Sequence, residues 1–242
     1  MQRLEAGDRL TILTGAGVSA ESGLATFRGG GGLWEGHRVE DVATPEGWAR
    51  DPGLVWRFYQ MRRAALGGVQ PNAAHFALAR LEQWGREHDV RVHLITQNVD
   101  DLHQRAGSTV LPMHGELEVL RCERCDHRVR ELTSLDEAVF VPCPACGHTR
   151  LRPDIVWFGE VPYGMDAIED ILMNTTHFLS AGTSGAVWPA AGFLHAARSV
   201  GARTYVNALE APANLEPGDR FLEGPASQVL PEFAARCMGE VR

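Results

Sequence analysis

The stretch that decides the fold reads Arg9-Leu-Thr-Ile-Leu-Thr14, followed at once by Gly15-Ala-Gly-Val-Ser-Ala20. After Arg9 these residues mix apolar side chains with threonine, the composition of a short buried strand. A glycine-rich turn directly after such a strand, with a helix expected next, opens a nucleotide-binding α/β unit. Gly15-x-Gly17-x-x-Ala20 matches the relaxed dinucleotide fingerprint. In that fingerprint small residues let the backbone approach a pyrophosphate, and free N–H groups at a helix start receive it. The same letters also describe a tight turn with no ligand, so the motif alone leaves the function open.

Working outward, three more stretches read as parallel strands: Arg91-Val-His-Leu-Ile95, Thr176-His-Phe-Leu-Ser-Ala181 and Arg203-Thr-Tyr-Val206. Each ends in small or polar residues, which puts ligand-binding groups at the carboxyl edge of a sheet. Asp51-Pro52 supplies a cap and a first-turn proline for a helix carrying Leu54, Val55, Phe58 and Met61. Asn72 caps another, with Phe76, Leu78, Leu81 and Trp84 on its packed face. Residues 29–32 are four consecutive glycines, a loop that serves either as a mobile cofactor lid or as a plain linker.

Residues 121–150 have a different character. They hold Cys122-x-x-Cys125 and Cys143-x-x-Cys146, two pairs 17 residues apart, which is zinc-ribbon spacing. Four thiolates close a tetrahedral shell with no position left for water or substrate, so the predicted zinc is structural, one per chain. Two redox pairs are the alternative. His127 and His148 are close enough in sequence to substitute as ligands but read as surface residues, and Cys237 reads as an inert thiol. The fold class predicted is therefore α/β, a Rossmann-like parallel-sheet large domain with a smaller inserted zinc-ribbon and helical module.

Bulk properties exclude several functions. A net charge of −8 is wrong for a duplex-DNA binder, so no nucleic-acid partner is expected. An acidic chain suits lysine-rich partners, although solubility alone explains the balance as well. No run of eighteen apolar residues occurs, so no membrane span is expected. Residues 1–8 are polar and mixed in charge, unlike a secretory leader, and the expected location is the cytoplasm. The oligomeric state stays open, a monomer included.

Several separated segments then agree with one family. Residues 14–28 (Thr-Gly-Ala-Gly-Val-Ser-Ala-Glu-Ser-Gly-Leu-Ala-Thr-Phe-Arg), Gln97-Asn-Val-Asp100, His114-Gly, Phe158-Gly-Glu160 and Gly182-Thr-Ser184 resemble, in order and spacing, the sirtuin signature. The resemblance runs from about Leu10 to residues 224–229 and so covers nearly the whole chain. It implies one sirtuin-type catalytic unit over residues 1–242. The large part would be about residues 1–28, 88–120 and 151–242, and the small part about 29–87 (helical) and 121–150 (zinc ribbon).

It further implies that NAD and an acyl-lysine protein or peptide meet in the cleft between the two parts. On that resemblance the cofactor site would comprise Gly15, Ala16, Gly17, Ser19, Ala20, Glu21, Ser22, Gly23, Thr26, Phe27, Arg28 and Trp34. Gln97, Asn98, Val99 and Asp100 would hold the ribose and the nicotinamide pocket. Gly182, Thr183, Ser184, Asn207 and Ala226 would lie at the adenosine half. His114 would be the general base, a role suited to a group that accepts a proton near neutral pH. The implied reaction is attack of the acyl oxygen on the nicotinamide ribose, then deprotonation of a ribose hydroxyl by His114. Its products are nicotinamide, O-acyl-ADP-ribose and free lysine. His75, His93 and His195 read as packing or hydrogen-bonding residues instead.

Tyr59-x-x-Arg62 resembles the motif of the desuccinylase branch, often called class III, and Ala43-Thr-Pro45 and Gly32-Leu-Trp34 look like that branch too. Residues i and i+3 share a helix face, so a phenol and a guanidinium could together grip the carboxylate of a succinyl or malonyl group. An exposed arginine on an ordinary amphipathic helix is the plainer reading. One departure stands out. The family usually has Asn-x-Glu after the late strand, whereas here the strand ends in Asn207-Ala-Leu-Glu210, and Asn214-Leu-Glu216 is a second match further on. Three competing functions stay open: a mono-ADP-ribosyltransferase, a nicotinamide-dependent dehydrogenase and a non-catalytic zinc-ribbon binding module. The dehydrogenase requires an acidic ribose-binding residue at the end of a second strand, where Arg38, Glu40 and Asp41 stand in a loop-like context.

Overall fold

A computed structural model describes residues 3–24, 33–34, 36–130 and 136–241. The chain enters through β1 (Arg9–Thr14) and, after a single 3-10 turn at Ala20–Ser22, reaches a small ribbon, β2 (Leu33–Trp34) and β3 (His37–Arg38). Helices α1 (Val39–Val42), α2 (Pro45–Arg50), α3 (Pro52–Leu66) and α4 (Ala73–Glu87) come after it, then β4 (Arg91–Thr96), α5 (Leu102–Arg105) and β5 (Val110–Pro112). The three strands β6 (Gly115–Arg121), β7 (Arg128–Arg130) and β8 (Arg152–Ile155) come next. The chain closes with α6 (Met165–Met173), β9 (His177–Ala181), α7 (Phe193–Ser199), β10 (Arg203–Ala208), β11 (Arg220–Glu223) and α8 (Ala226–Met238).

Six strands form one sheet in the order β11-β10-β9-β1-β4-β5, every pairing parallel. This is the doubly wound Rossmann order, with β1 at the centre and successive crossovers running outward on either side of it. The four strands read from sequence are the four central ones. The edge strands β5 and β11 escaped notice because Val110-Leu-Pro112 and Arg220-Phe-Leu-Glu223 are only three and four residues long, too short to show a strand period. Two-sided burial explains the apolar central strands. Leu10 and Ile12 pack beneath α4 and α8 with Leu78, Leu81, Leu230 and Phe233. Leu13, Phe178 and Val206 pack on the other face with Ile168 of α6 and Leu194 of α7. Cys237 is buried in the first of these cores, and burial pushes its thiol far up, as expected for an inert residue.

The predicted caps form. Asp51 accepts the backbone N–H of Leu54 at 2.9 Å, and Asn72 accepts that of Ala74 at 2.9 Å. The smaller part is a second core of its own, in which Val55, Trp56 and Phe58 of α3 and Trp48 of α2 meet Leu117, Leu120, Cys122, Cys143 and Trp157. The strands β7-β6-β8 form its antiparallel sheet. One assignment changes. The sequence placed residues 29–87 together in the small part, but α4 buries Ala74, Leu78 and Leu81 against the central sheet and α8. It therefore belongs to the large part, and periodicity alone could not show which surface its apolar face would meet. Among the described residues, no helix is long and apolar enough to cross a membrane.

Candidate functional site

A cleft of about 940 Å³ opens at the carboxyl edge of the sheet and extends to the smaller part. That volume lies at the upper end of the range for ligand pockets, about 300–1,000 Å³. Its walls include Gly15, Ala16, Gly17, Ser19, Ala20 and Glu21 after β1, and Gln97, Asn98, Val99 and Asp100 after β4. Gly182, Thr183 and Ser184 after β9, Asn207 of β10 and Ala226 of α8 complete this half of the cleft. His114, Tyr59 and Arg62 line the same cleft. The position is the topological switch point, where crossovers diverge on either side of β1 and leave a crevice.

The glycines after β1 line the cleft, as the motif implied, and they are also required by a contact that the motif does not signal. A Cβ on Gly15 would lie 2.8 Å from the Gly182 carbonyl oxygen, and one on Gly17 would lie 2.8 Å from Gly182 Cα. The two strand-end loops touch backbone to backbone. Gly15 N–H donates to Ala181 O at 2.9 Å and Gly17 N–H to Gly182 O at 2.7 Å, so neither is a free phosphate donor. The expected helix after this loop is replaced by the 3-10 turn Ala20–Ser22. Gln97 fastens the third loop by donating from Nε2 to Thr183 Oγ1 at 3.1 Å.

Behind this loop runs a directed chain of buried polar groups. Asn72 N–H donates to His75 Nδ1 at 3.2 Å, which fixes the neutral tautomer with its proton on Nε2. His75 Nε2 then meets Ser19 Oγ at 3.4 Å, and Asn98 Nδ2 donates to the same hydroxyl at 3.1 Å. Asp100, on the same loop as Asn98, accepts the backbone N–H of Leu102 at 3.1 Å, and burial raises its carboxyl above the ordinary value. The His75 ring lies 4.7 Å from that of His103, and burial lowers His75 to about 4 and His103 to about 3. Both imidazoles are thus neutral supports. Reading His75 as a hydrogen-bonding residue anticipated part of this, while His103, beside Thr14 Oγ1 at 3.1 Å, carried no sequence signal.

His114 sits between β5 and β6. Its Nδ1 lies 3.0 Å from Gln97 O, an acceptor only, so Nδ1 carries the proton and Nε2 keeps a lone pair for the cleft. Burial lowers its affinity for a second proton, partly offset by the Gln97 carbonyl. The adjacent Gly115 is required by geometry: its φ is +82° and a Cβ there would lie 1.9 Å from Asp154 O. Val156 N–H donates to His114 O at 3.0 Å, tying the base to the segment after β8.

Other predicted residues fall differently. Ser22 and Gly23 do not line the cleft; Ser22 Oγ accepts from Asn72 Nδ2 at 3.0 Å, and Gly23 closes the turn. Glu21 lines it, yet its carboxylate accepts the N–H and O–H of Ser227 at 2.9 and 2.8 Å, capping α8. Asn207 donates from Nδ2 to Leu222 O at 2.8 Å and Gly224 O at 3.0 Å, and its buried Oδ1 has no hydrogen-bond partner among the described residues. Glu210 lines the cleft, whereas Asn214 lies outside it and donates to Ala191 O at 3.2 Å. Thr26, Phe27, Arg28, the side chain of Trp34 and the four-glycine loop lie outside the described residues.

At the far end, Tyr59 and Arg62 of α3 face the loop after β8. Trp157 Nε1 donates to Tyr59 Oη at 3.0 Å, and the Arg62 guanidinium lies 5.8 Å from the Phe58 ring centroid. Val156, Trp157, Phe158 and Glu160 complete this wall, and of these the sequence had marked only the Phe158-Gly-Glu160 segment. Arg38, Glu40 and Asp41 lie on β3 and α1 and take no part in the parallel sheet, so the acidic residue a dehydrogenase needs is not there.

The four cysteines converge. All four sulfurs lie within 4.8 Å of one another, with Cys122–Cys146 at 3.6 Å and Cys125–Cys143 at 3.7 Å. A tetrahedral zinc with bonds of about 2.3 Å sets its sulfurs about 3.8 Å apart, so the set fits one structural zinc. Cys122 and Cys143 are buried in the core shared with α2 and α3, which makes the metal part of that core.

Comparison with known proteins agrees with this geometry. The profile of the Sir2 family matches residues 15–189. An NAD-dependent protein deacylase of Caulobacter vibrioides is 48% identical over 96% of this chain and 98% of its own length. One from Escherichia coli K12 is 50% identical over 95% of this chain and 82% of its own. A solved complex of a Sir2 homolog with NAD superposes with a TM-score of 0.87 at 35% identity, covering 99% of this chain and 97% of that one.

Proposed function

The chain belongs to the Sir2 family and is an NAD-dependent protein deacylase, and we propose that it prefers lysines bearing succinyl or malonyl groups, with acetyl-lysine a secondary substrate. One observation carries the preference. Tyr59 and Arg62, a phenol and a guanidinium on one face of α3, line the same cleft as His114. A terminal carboxylate entering past His114 would meet both, and the planar fork of arginine matches it with two N–H donors.

In the mechanism consistent with this reading, bound NAD supplies an electrophilic ribose carbon with nicotinamide as leaving group. The loops after β1, β4 and β9 would hold the dinucleotide across the switch point. Ser19, Asn98 and Asp100 of the cleft lining would hold the nicotinamide ribose end, with His75 fixing the Ser19 hydroxyl from behind. His114 acts as base through Nε2: the Gln97 carbonyl holds its other proton, so the imidazole presents a lone pair to a ribose hydroxyl. Once charged, that imidazolium keeps its bond to the same carbonyl, which eases the proton transfer. We place the protein in the cytoplasm, where a reducing environment keeps four thiolates available for zinc.

The test is Arg62→Met, assayed on matched peptides. Desuccinylation should fall by roughly 30-fold or more, the loss of a charge-assisted contact of about 2 kcal/mol, while deacetylation persists. Equal loss of both activities would rule out acid recognition by Arg62.

A further inference from the structure

Trp157 is held more firmly than a wall residue needs to be. Its ring centroid lies 3.4 Å from the Arg152 guanidinium, which donates to both Glu160 oxygens at 2.7 and 2.9 Å and to Ile155 O at 2.7 Å. Glu160 also accepts the Trp157 backbone N–H at 2.8 Å. The indole is therefore clamped by a partly buried ion pair on one face, and its one polar side-chain atom points at Tyr59 Oη.

An indole nitrogen donates and never accepts. The phenol oxygen must therefore accept from Trp157, and its own proton is turned toward some other acceptor. Burial pushes the Tyr59 phenol well up, so that proton stays in place at neutral pH. A carboxylate can only accept, and it is the ligand that a phenol oriented in this way suits. The methyl end of an acetyl group offers nothing to receive the proton.

We propose that Trp157 is a specificity-determining positioning residue, which sets the Tyr59 hydroxyl as a donor to the terminal carboxylate of the acyl group and is itself locked in register by Arg152 and Glu160. This rests on the acid-recognition reading above and adds a residue remote in sequence from the Tyr59-x-x-Arg62 motif.

Trp157→Phe keeps a ring over Arg152 and removes only the donor. Steady-state kinetics of wild type, Trp157→Phe, Tyr59→Phe and the double variant are measured with succinyl-lysine and acetyl-lysine peptides at saturating NAD. The ratio of kcat/KM for succinyl over acetyl should fall about tenfold in Trp157→Phe, the size of one weakened hydrogen bond to a charged group. In the Tyr59→Phe background the same change should leave the ratio where it is. An equal fall for both peptides, or an undiminished effect without the phenol, overturns the proposal. A wild type with no preference for succinyl-lysine overturns the acid-recognition reading itself, which is a separate outcome.

Should Trp157→Phe fail to fold, the wild type still decides. With 15N-labelled tryptophan, the indole N–H signal displaced by Tyr59→Phe should move on adding succinyl-lysine peptide and hold still with acetyl-lysine peptide. Identical responses to the two peptides overturn the proposal.

Discussion

Substituting Gly17 by alanine tests whether the cleft is built by contact between strand-end loops. The new Cβ would lie 2.8 Å from both Gly182 Cα and Gly182 O. Carbon contacts prefer about 3.5–4.0 Å, so the two loops must separate by roughly 0.7 Å or more. Neither side can yield by changing rotamer. Both partners are backbone, and Gly182 is itself confined, since a Cβ there would lie 2.5 Å from Val18 N. Overpacking of this kind costs about 1–3 kcal/mol, and losing the 2.7 Å bond from Gly17 N–H to Gly182 O adds about 1 kcal/mol. The total of about 2–4 kcal/mol corresponds to a fall in Tm of about 4–16 °C for a chain of this size. Differential scanning calorimetry reads it directly, and isothermal titration should show weaker NAD binding. Gly68→Ala is the control, because its Cβ would meet nothing closer than Ala65 O at 3.7 Å. A Gly17→Ala protein with the Tm of the control would refute the contact and return the glycines to a purely ligand-facing role.

Stripping the zinc with a strong chelator, or replacing Cys143 by serine, should lower Tm and abolish deacylation together, because two of the ligands belong to the core beneath Trp48 and Trp157; full activity in metal-free protein would contradict this. The acid limb of kcat/KM should have its midpoint below the ordinary imidazole value of about 6.5, since burial disfavours charged His114 and the active form is the neutral one; a pH–rate profile with the midpoint at or above that value would be inconsistent. His75 and His103 stay neutral in the fold down to about 4 and about 3, whereas the unfolded chain takes up these protons on descending through the ordinary range. Stability should therefore fall as pH drops from about 6.5 toward 4, by up to about 1.4 kcal/mol per pH unit for each histidine. Urea midpoints at several pH values check it, and a His103→Gln variant with the same slope as wild type would disprove that share.

The sequence disclosed the central sheet because two-sided burial selects apolar and β-branched residues, as in Leu10-Thr-Ile-Leu-Thr14. It disclosed the zinc site because four thiol ligands at ribbon spacing have few other uses. Most of the cleft was legible as well, since the loops after β1, β4 and β9 carry the family's letters. Tertiary proximity was not. Nothing near Gly15 or Gly17 signals that Gly182 presses against them, a contact between loops more than 160 residues apart. Glu21 lines the cleft as the motif implied, and the bond of its carboxylate to Ser227 at the start of α8 is a further contact the motif does not signal. Ser22, likewise inside the motif, turns to Asn72. The frame of Arg152, Trp157 and Glu160 around Tyr59 joins residues from distant stretches of the chain, and periodicity does not report on which surfaces meet.

The central claim is that this cleft couples NAD consumption to removal of acyl groups from lysine, with a preference for acidic ones. Mass spectrometry of matched succinyl-lysine and acetyl-lysine peptides, incubated with the protein and NAD, tests it most directly. Both peptides should lose the acyl mass, succinyl faster, with nicotinamide and O-acyl-ADP-ribose formed in equal amounts and none of this with His114→Tyr. Peptides that keep their acyl mass while gaining that of ADP-ribose, or turnover indifferent to His114, would contradict it.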